Sequence, residues 1–324
     1  MTIEHATTYR PGGGPPPYLR PQAPWPHGTP PPVPSEQLTY ERLARAGRHN
    51  WWRPVVGTFV LLGLSMAGML LVYGLSDIAA EILGFPDDAD GWPRFDDVTT
   101  LAIDLLGIAI VLPAVALTAR WVQKRPWGTL TSVTGRLRLR WLGRCLAVAA
   151  ATVVVTFAGF AALSSSVEEP GAPEEMFVGW GTFAAGLAVV LCLVPLQAAA
   201  EEYVFRGWLL QAAGAFFRSP ILVLLPQAVL FAAVHGWGTP WGFADLTVFG
   251  LLAGWLTIRT GGIEAAIALH VMTNVVGMGM ASAFVGGLAS DETAADMPWS
   301  MAVVDMTIVA IFSVIILRLA RRAP

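Results

Sequence analysis

The chain has 324 residues, of which 55% are hydrophobic and only 13% charged, with a mean hydropathy of +0.58. A soluble domain carries about 25% charged residues, so a soluble globular fold is excluded and an all-α, polytopic helical membrane protein is expected. The net charge of −3 says little, because the charges are segregated along the chain.

Residues 1–50 hold 11 of the 24 prolines, including Pro15-Pro16-Pro17 and Pro30-Pro31-Pro32. Such a segment cannot bury enough apolar surface to fold alone. It also lacks the apolar core of a signal peptide. A disordered cytoplasmic tail is expected there.

A span needs about 20 apolar residues. Candidates run roughly over 54–75, 98–119, 143–163, 178–199, 221–235, 243–258, 262–283 and 299–317. About eight helices are therefore expected, in an N-terminal membrane region (51–175), a helical core (176–285) and a last span with a basic C-terminus (286–324). Cys145 and Cys192 fall in spans and read as small apolar residues rather than a disulfide.

The loops sort by charge. Arg42, Arg45, Arg48 and Arg53 precede the first span, and Asp87, Asp88, Asp90, Asp96 and Asp97 follow it. A basic cluster from Arg120 to Arg144 follows the second, and Glu168, Glu169, Glu174 and Glu175 the third. The alternation continues to Arg318, Arg321 and Arg322. The positive-inside rule then places both termini in the cytoplasm. Lys124 is the only lysine among 20 basic residues, a bias of GC-rich bacterial genomes, so the membrane expected is the bacterial plasma membrane.

From Gly179 to Phe217 the chain is apolar for 39 residues apart from Glu201, Glu202 and Arg206. As a helix it would run about 58 Å, twice the hydrocarbon thickness. A break at Pro195 is expected, with a second helix carrying Glu201 to Phe217.

Ionised groups in hydrocarbon are costly and mark functional sites. Glu202 and Arg206 stand at i, i+4 and can pair. Glu201 points about 100° away, free to face another cavity. His5, His27 and His49 are in the tail, which leaves His235 and His270 in the membrane body. Phe231 and His235 share a helix face, as do His270 and Asn274. With a turn at Arg218-Ser219-Pro220, Glu201 and His235 come to similar depth, about 25 and 22 Å from it. His270 fits less well, about 12 Å from the turn at Gly262. Asp104 and Asp305, at outer span ends, and Glu264, at an inner end, read as interfacial. Gly250, Gly254, Gly277, Gly279, Gly286 and Gly287 suit close helix packing.

A glutamate, two histidines and an asparagine in a wet cavity suit amide hydrolysis. In one reading Glu201 activates water, while His235, His270 and Asn274 stabilise the intermediate. In the other, Glu201, His235 and His270 bind zinc with an open water position. No His-Glu-x-x-His motif is present.

Glu201-Glu202-x-x-x-Arg206, Phe231-x-x-x-His235 and His270-x-x-x-Asn274, in this order, resemble the three motifs of the CAAX protease and bacteriocin-processing (CPBP, or Abi) family. These are intramembrane endopeptidases related to the eukaryotic prenyl-protein protease. The resemblance covers about residues 180–285. It implies a helical membrane fold around a polar cavity, with Glu201 as catalytic base and His235, His270 and Asn274 as site residues. Glu202, Arg206 and Phe231 take supporting roles. It favours metal-free glutamate catalysis, so no cofactor is expected, with zinc as the alternative. The implied partners are a membrane-associated peptide or protein substrate and the lipid bilayer. No nucleic acid is expected, and oligomeric state is left open. The competing readings are a catalytically silent scaffold or bacteriocin-immunity protein and a proton-coupled transporter. A transporter is disfavoured because no duplicate of the motifs occurs in residues 50–175.

Overall fold

Hydrocarbon offers backbone N–H and C=O groups no partner but each other, so apolar runs in a membrane close their hydrogen bonds as helices. The computed structural model describes residues 38–46, 50–88, 90–164, 176–289 and 293–321. In chain order its α-helices are α1 (Trp52–Leu83), α2 (Asp97–Ala109), α3 (Val111–Trp121), α4 (Gly128–Thr131), α5 (Leu139–Ser164), α6 (Trp180–Glu202), α7 (Leu210–Phe216), α8 (Pro220–Val234), α9 (Pro240–Thr260), α10 (Glu264–Ala281) and α11 (Trp299–Ala320). No strand occurs among the described residues.

Among the described residues, six helical runs are long and apolar enough to cross a bilayer: Trp52–Leu83, Asp97–Trp121, Trp180–Phe216, Pro240–Thr260, Glu264–Ala281 and Trp299–Ala320. The chain is thus a polytopic helical membrane protein. The second run joins α2 and α3 through Ile110. The expected span at 221–235 is a helix, but at 15 residues it reaches only about 22 Å, short of the hydrocarbon thickness. Along α1 the side chains of Phe59, Leu62 and Leu70 are exposed, as a lipid-facing helix requires.

The expected break at Pro195 does not occur. Pro195 lies inside α6, and Trp180–Phe216 forms one run of 37 residues. A proline in a membrane helix costs one backbone donor, and neighbouring helices can hold the backbone straight around it. The irregularity falls later: Tyr203–Leu209 is a π-helical stretch, directly after the two glutamates. Such bulges are rare and gather at functional sites.

The Pro-rich tail falls mostly outside the described residues. Its end does not behave as a tail. Tyr40–Arg45 forms a 3-10 helix, Tyr40 is fully buried, and its hydroxyl donates to the Leu130 carbonyl. Arg45 Nε donates to the Ala215 carbonyl at 3.1 Å.

The core that frames the site is aromatic. Phe205, Phe231, Phe249, Leu269 and Phe312 pack in one cluster, joining the π-helical stretch, α8, α9, α10 and α11. The α8–α9 crossing is close because of two glycines. A Cβ on Gly250 would meet Ala228 Cα at 2.8 Å, and one on Gly254 would meet Gln227 Nε2 at 2.8 Å. Gly277 has open space beside it, so it does not serve packing. Cys145 and Cys192 are both free.

Glu264 is not interfacial. It is fully buried and bidentate with Arg138, at 2.8 Å from Nε and 2.7 Å from Nη2. The Arg138 backbone N–H also donates to it, at 3.0 Å. This clamp ties the start of α5 to the start of α10. Composition near a helix end suggested exposure, but the loop before α5 folds over it: Ile263 N donates to Thr131 O at 3.0 Å and Val133 N to Gly261 O at 2.8 Å.

Candidate active site

Four helical elements converge on one polar cluster. α6 supplies Gln197, Glu201 and Glu202, and the π-helical stretch supplies Arg206. The end of α8 supplies His235, while α10 supplies His270 and Asn274.

The adjacent glutamates face different partners. Glu202 and Arg206 are both fully buried, and Arg206 Nη1 donates to Glu202 Oε1 at 2.7 Å. The same oxygen lies 2.8 Å from His270 Nδ1. The Arg206 guanidinium also stands 4.2 Å above the Phe231 ring, so its charge meets a carboxylate and a π face. Glu201 points elsewhere. Gln197 Nε2 donates to its Oε1 at 2.6 Å. Its Oε2 stands 3.6 Å from His270 Nε2 and 3.9 Å from His235 Nε2.

These contacts set the tautomers. The Phe231 carbonyl can only accept, and it lies 2.8 Å from His235 Nδ1, so Nδ1 carries the proton. Glu202 does the same for His270. Both Nε2 atoms therefore turn to Glu201, as lone pairs when the rings are neutral and as donors when they are imidazolium. Among the described residues, no group of three His, Cys, Asp or Glu side chains stands in metal-binding geometry.

Phe231 is wedged between the histidines, its ring centroid 4.6 Å from that of His235 and 5.7 Å from that of His270. Phe249 closes the other flank of His270 at 5.6 Å. The depth mismatch expected for His270 does not keep it from the cluster. The α8 hairpin turns at Phe216–Pro220, whereas the α9–α10 turn is tied to residues 131–133, and His270 Nε2 reaches Glu201 at 3.6 Å.

Beside the cluster lies a cavity of about 530 Å³. Phe231, His235, His270, Thr273 and Asn274 line it, with apolar walls from Leu101, Val153, Leu246, Phe249, Met278, Leu288 and Met297. Three further polar residues belong to this region, of which Gln197 and Asp245 were not singled out from sequence. Gln197 is buried and bridges two site residues, since its Oε1 accepts from Asn274 Nδ2 at 3.2 Å. Its position four residues before Glu201 in an apolar run was the available signal. Asp245 and Asp305 also line the cavity. For Asp305 this replaces the interfacial reading: it lines the cavity together with Ala294 and Met297, and the 293–298 segment is tied to the start of α9 by Thr239 N donating to Ala295 O at 2.8 Å.

Residues 180–276 match the family model described as type II CAAX prenyl endopeptidase Rce1-like. This chain carries an Rce1-like segment. The resemblance drawn from the three motifs holds, and the matched segment runs from the start of α6 through both histidines and Asn274. That segment is similar to a CAAX-type protease family, and the chain around it is an integral membrane protein. An uncharacterized protein of Bacillus subtilis (strain 168), YyaK, is 27% identical over 241 residues, which cover 71% of this chain and 77% of that protein. No solved structure matches.

Proposed function

We propose that this protein is an intramembrane endopeptidase that hydrolyses a peptide bond of a membrane-associated peptide or protein. Its catalytic core is residues 176–285, in a bacterial plasma membrane with both termini cytoplasmic. The observation that carries the reading is Glu201 Oε2 facing two imidazole Nε2 atoms at 3.6 and 3.9 Å beside a largely apolar cavity. A water seated to the side of these three atoms can hydrogen-bond to Glu201 and to the histidines at once.

Glu201 takes a proton from that water as its oxygen attacks the scissile carbonyl carbon. The carbonyl oxygen becomes an oxyanion. His235 and His270, as imidazolium, donate to it through Nε2, because their Nδ1 protons are committed to the Phe231 carbonyl and to Glu202. Asn274 has one amide N–H on Gln197 and a second free to donate. Such donors, fixed in a water-poor site, supply several kcal/mol to a tetrahedral intermediate (about 2.7–4 per donor). Collapse breaks the C–N bond, and Glu201 returns its proton to the leaving amine. Arg206 neutralises Glu202 so that the latter can hold His270 without competing for the water.

The test is cleavage of a peptide library by the full chain in liposomes, with products read by mass spectrometry. Glu201→Gln and His235→Ala should each lose cleavage while keeping the melting behaviour of the parent. Cleavage persisting in both would overturn the reading.

A further inference from the structure

The cavity holds a second pair of acids away from the Glu201 cluster. Asp245 on α9 and Asp305 on α11 both line it, with their carboxyl groups adjacent. Asp245 is only 4% exposed, yet its Oδ1 meets no hydrogen-bond donor. Buried polar atoms without a partner are uncommon and call for an explanation. None of the described residues that line the cavity is Lys or Arg. Two adjacent carboxylates repel each other, and a cation beside them favours their charged forms. The pair is therefore an acceptor-rich site lacking the one kind of partner that would satisfy it.

We propose that Asp245 and Asp305 form a specificity subsite for a basic side chain of the substrate, an ammonium or guanidinium. This rests on the endopeptidase reading and adds the substrate class. Both groups carry only donors, three on Lys and five on Arg, and so complement the free lone pairs of the pair. Binding places the cation against both carboxyl groups. Placement fits as well. Asp245 is one helical turn, about 6 Å, from Phe249, whose ring abuts His270 at 5.6 Å. An extended peptide advances about 3.3–3.6 Å per residue. A basic residue two or three positions from the bond held at His270 reaches the pair, while apolar neighbours lie along Leu246, Met278 and Leu288.

The experiment reads binding rather than turnover, using the full chain in phosphatidylcholine nanodiscs with Glu201→Gln to prevent cleavage. The probes are fluorescein-labelled Leu/Ala peptides, acetylated and amidated, carrying either one Lys or one norleucine at each central position in turn. A third peptide lacks Lys but has a free N-terminus. At one position the Lys peptide should bind about tenfold tighter than its norleucine twin. Adding Asp245→Asn and Asp305→Asn, which preserve side-chain shape and remove the charge, should abolish that ratio and leave norleucine binding unchanged. Equal binding of the twins by the parent overturns the proposal, as does a preference that survives both substitutions. Tighter binding of the free N-terminus alone also overturns it, since the group recognised would then be the terminal amine. Cleavage by the chain with Glu201 intact is scored separately. A Lys preference without any cleavage would sink the endopeptidase reading and leave the subsite standing, whereas cleavage without a Lys preference does the reverse.

Discussion

Glu202 Oε1 lies 2.8 Å from His270 Nδ1, and this contact separates the roles of the two adjacent glutamates. Glu202 holds an imidazole from behind, leaving Glu201 to face its other nitrogen. Arg206 makes the arrangement affordable by pairing with that same oxygen. Removing one partner of a buried pair typically costs about 3–5 kcal/mol, because the other charge is stranded. Arg206→Met should therefore lower stability by about that much, measured by denaturant unfolding in detergent. Adding Glu202→Gln should recover most of the loss. A double variant as unstable as Arg206→Met alone would show that the pair is not the cause.

Glu202→Gln alone should weaken catalysis more than binding. The amide cannot hold His270 as a carboxylate does, and loss of such an orienting partner typically costs about 10–100-fold in activity. The expected change is in kcat, with KM nearly unaltered. A rise in KM at constant kcat would instead place Glu202 against the substrate.

Gln197 ties Glu201 to Asn274 through hydrogen bonds of 2.6 and 3.2 Å. Gln197→Leu keeps the volume but frees both groups. We expect kcat to fall by about 10–100-fold and a melting temperature that changes little. Unaltered kcat would show that Glu201 and Asn274 hold their positions without this bridge.

Much of this site was legible in the sequence, and the misses have physical causes. Spacing found Glu201, Glu202, Arg206, His235, His270 and Asn274, because ionisable groups in an apolar run stand out and i, i+4 positions share a face. Pro195 misled because a local rule about backbone donors was overridden by packing of the neighbouring helices. Glu264 and Asp305 misled for a related reason: their exposure depends on loops at 131–138 and 293–298 that are distant in sequence. Gln197 was passed over because a lone amide carries no charge signal, and its meaning comes only from the Asn274 that folding brings beside it.

The metal-free reading of Glu201 makes a separate claim. Cleavage should survive incubation with excess phenanthroline followed by removal of the chelator, and added zinc should not raise it. Zinc held by one Glu and two His would be lost under such treatment and activity would return on repletion. That pattern would replace glutamate-activated water with zinc-activated water.

Away from the site, Asp96 offers a test of the fold itself. It caps α2, its Oδ1 accepting from the backbone N–H groups of Val98 and Thr99 at 3.1 Å. The Thr99 hydroxyl, which donates at 2.6 Å, is the main cause that holds the Asp96 carboxyl below the usual aspartate range, joined by the backbone donors. A carboxyl whose folded-state pKa is depressed stabilises the fold above its unfolded pKa, about 3.9, and that contribution disappears as pH falls through the lower folded value. Asp96→Ala should thus cost about 1 kcal/mol at neutral pH, as lost N-caps do, and progressively less below pH ~4. Asp96→Asn should keep most of the cap and remove its pH dependence. Thermal melting of the three proteins between neutral and acid pH measures both effects, and a constant difference between Asp96 and Ala across that range would show that the cap carries no ionic component.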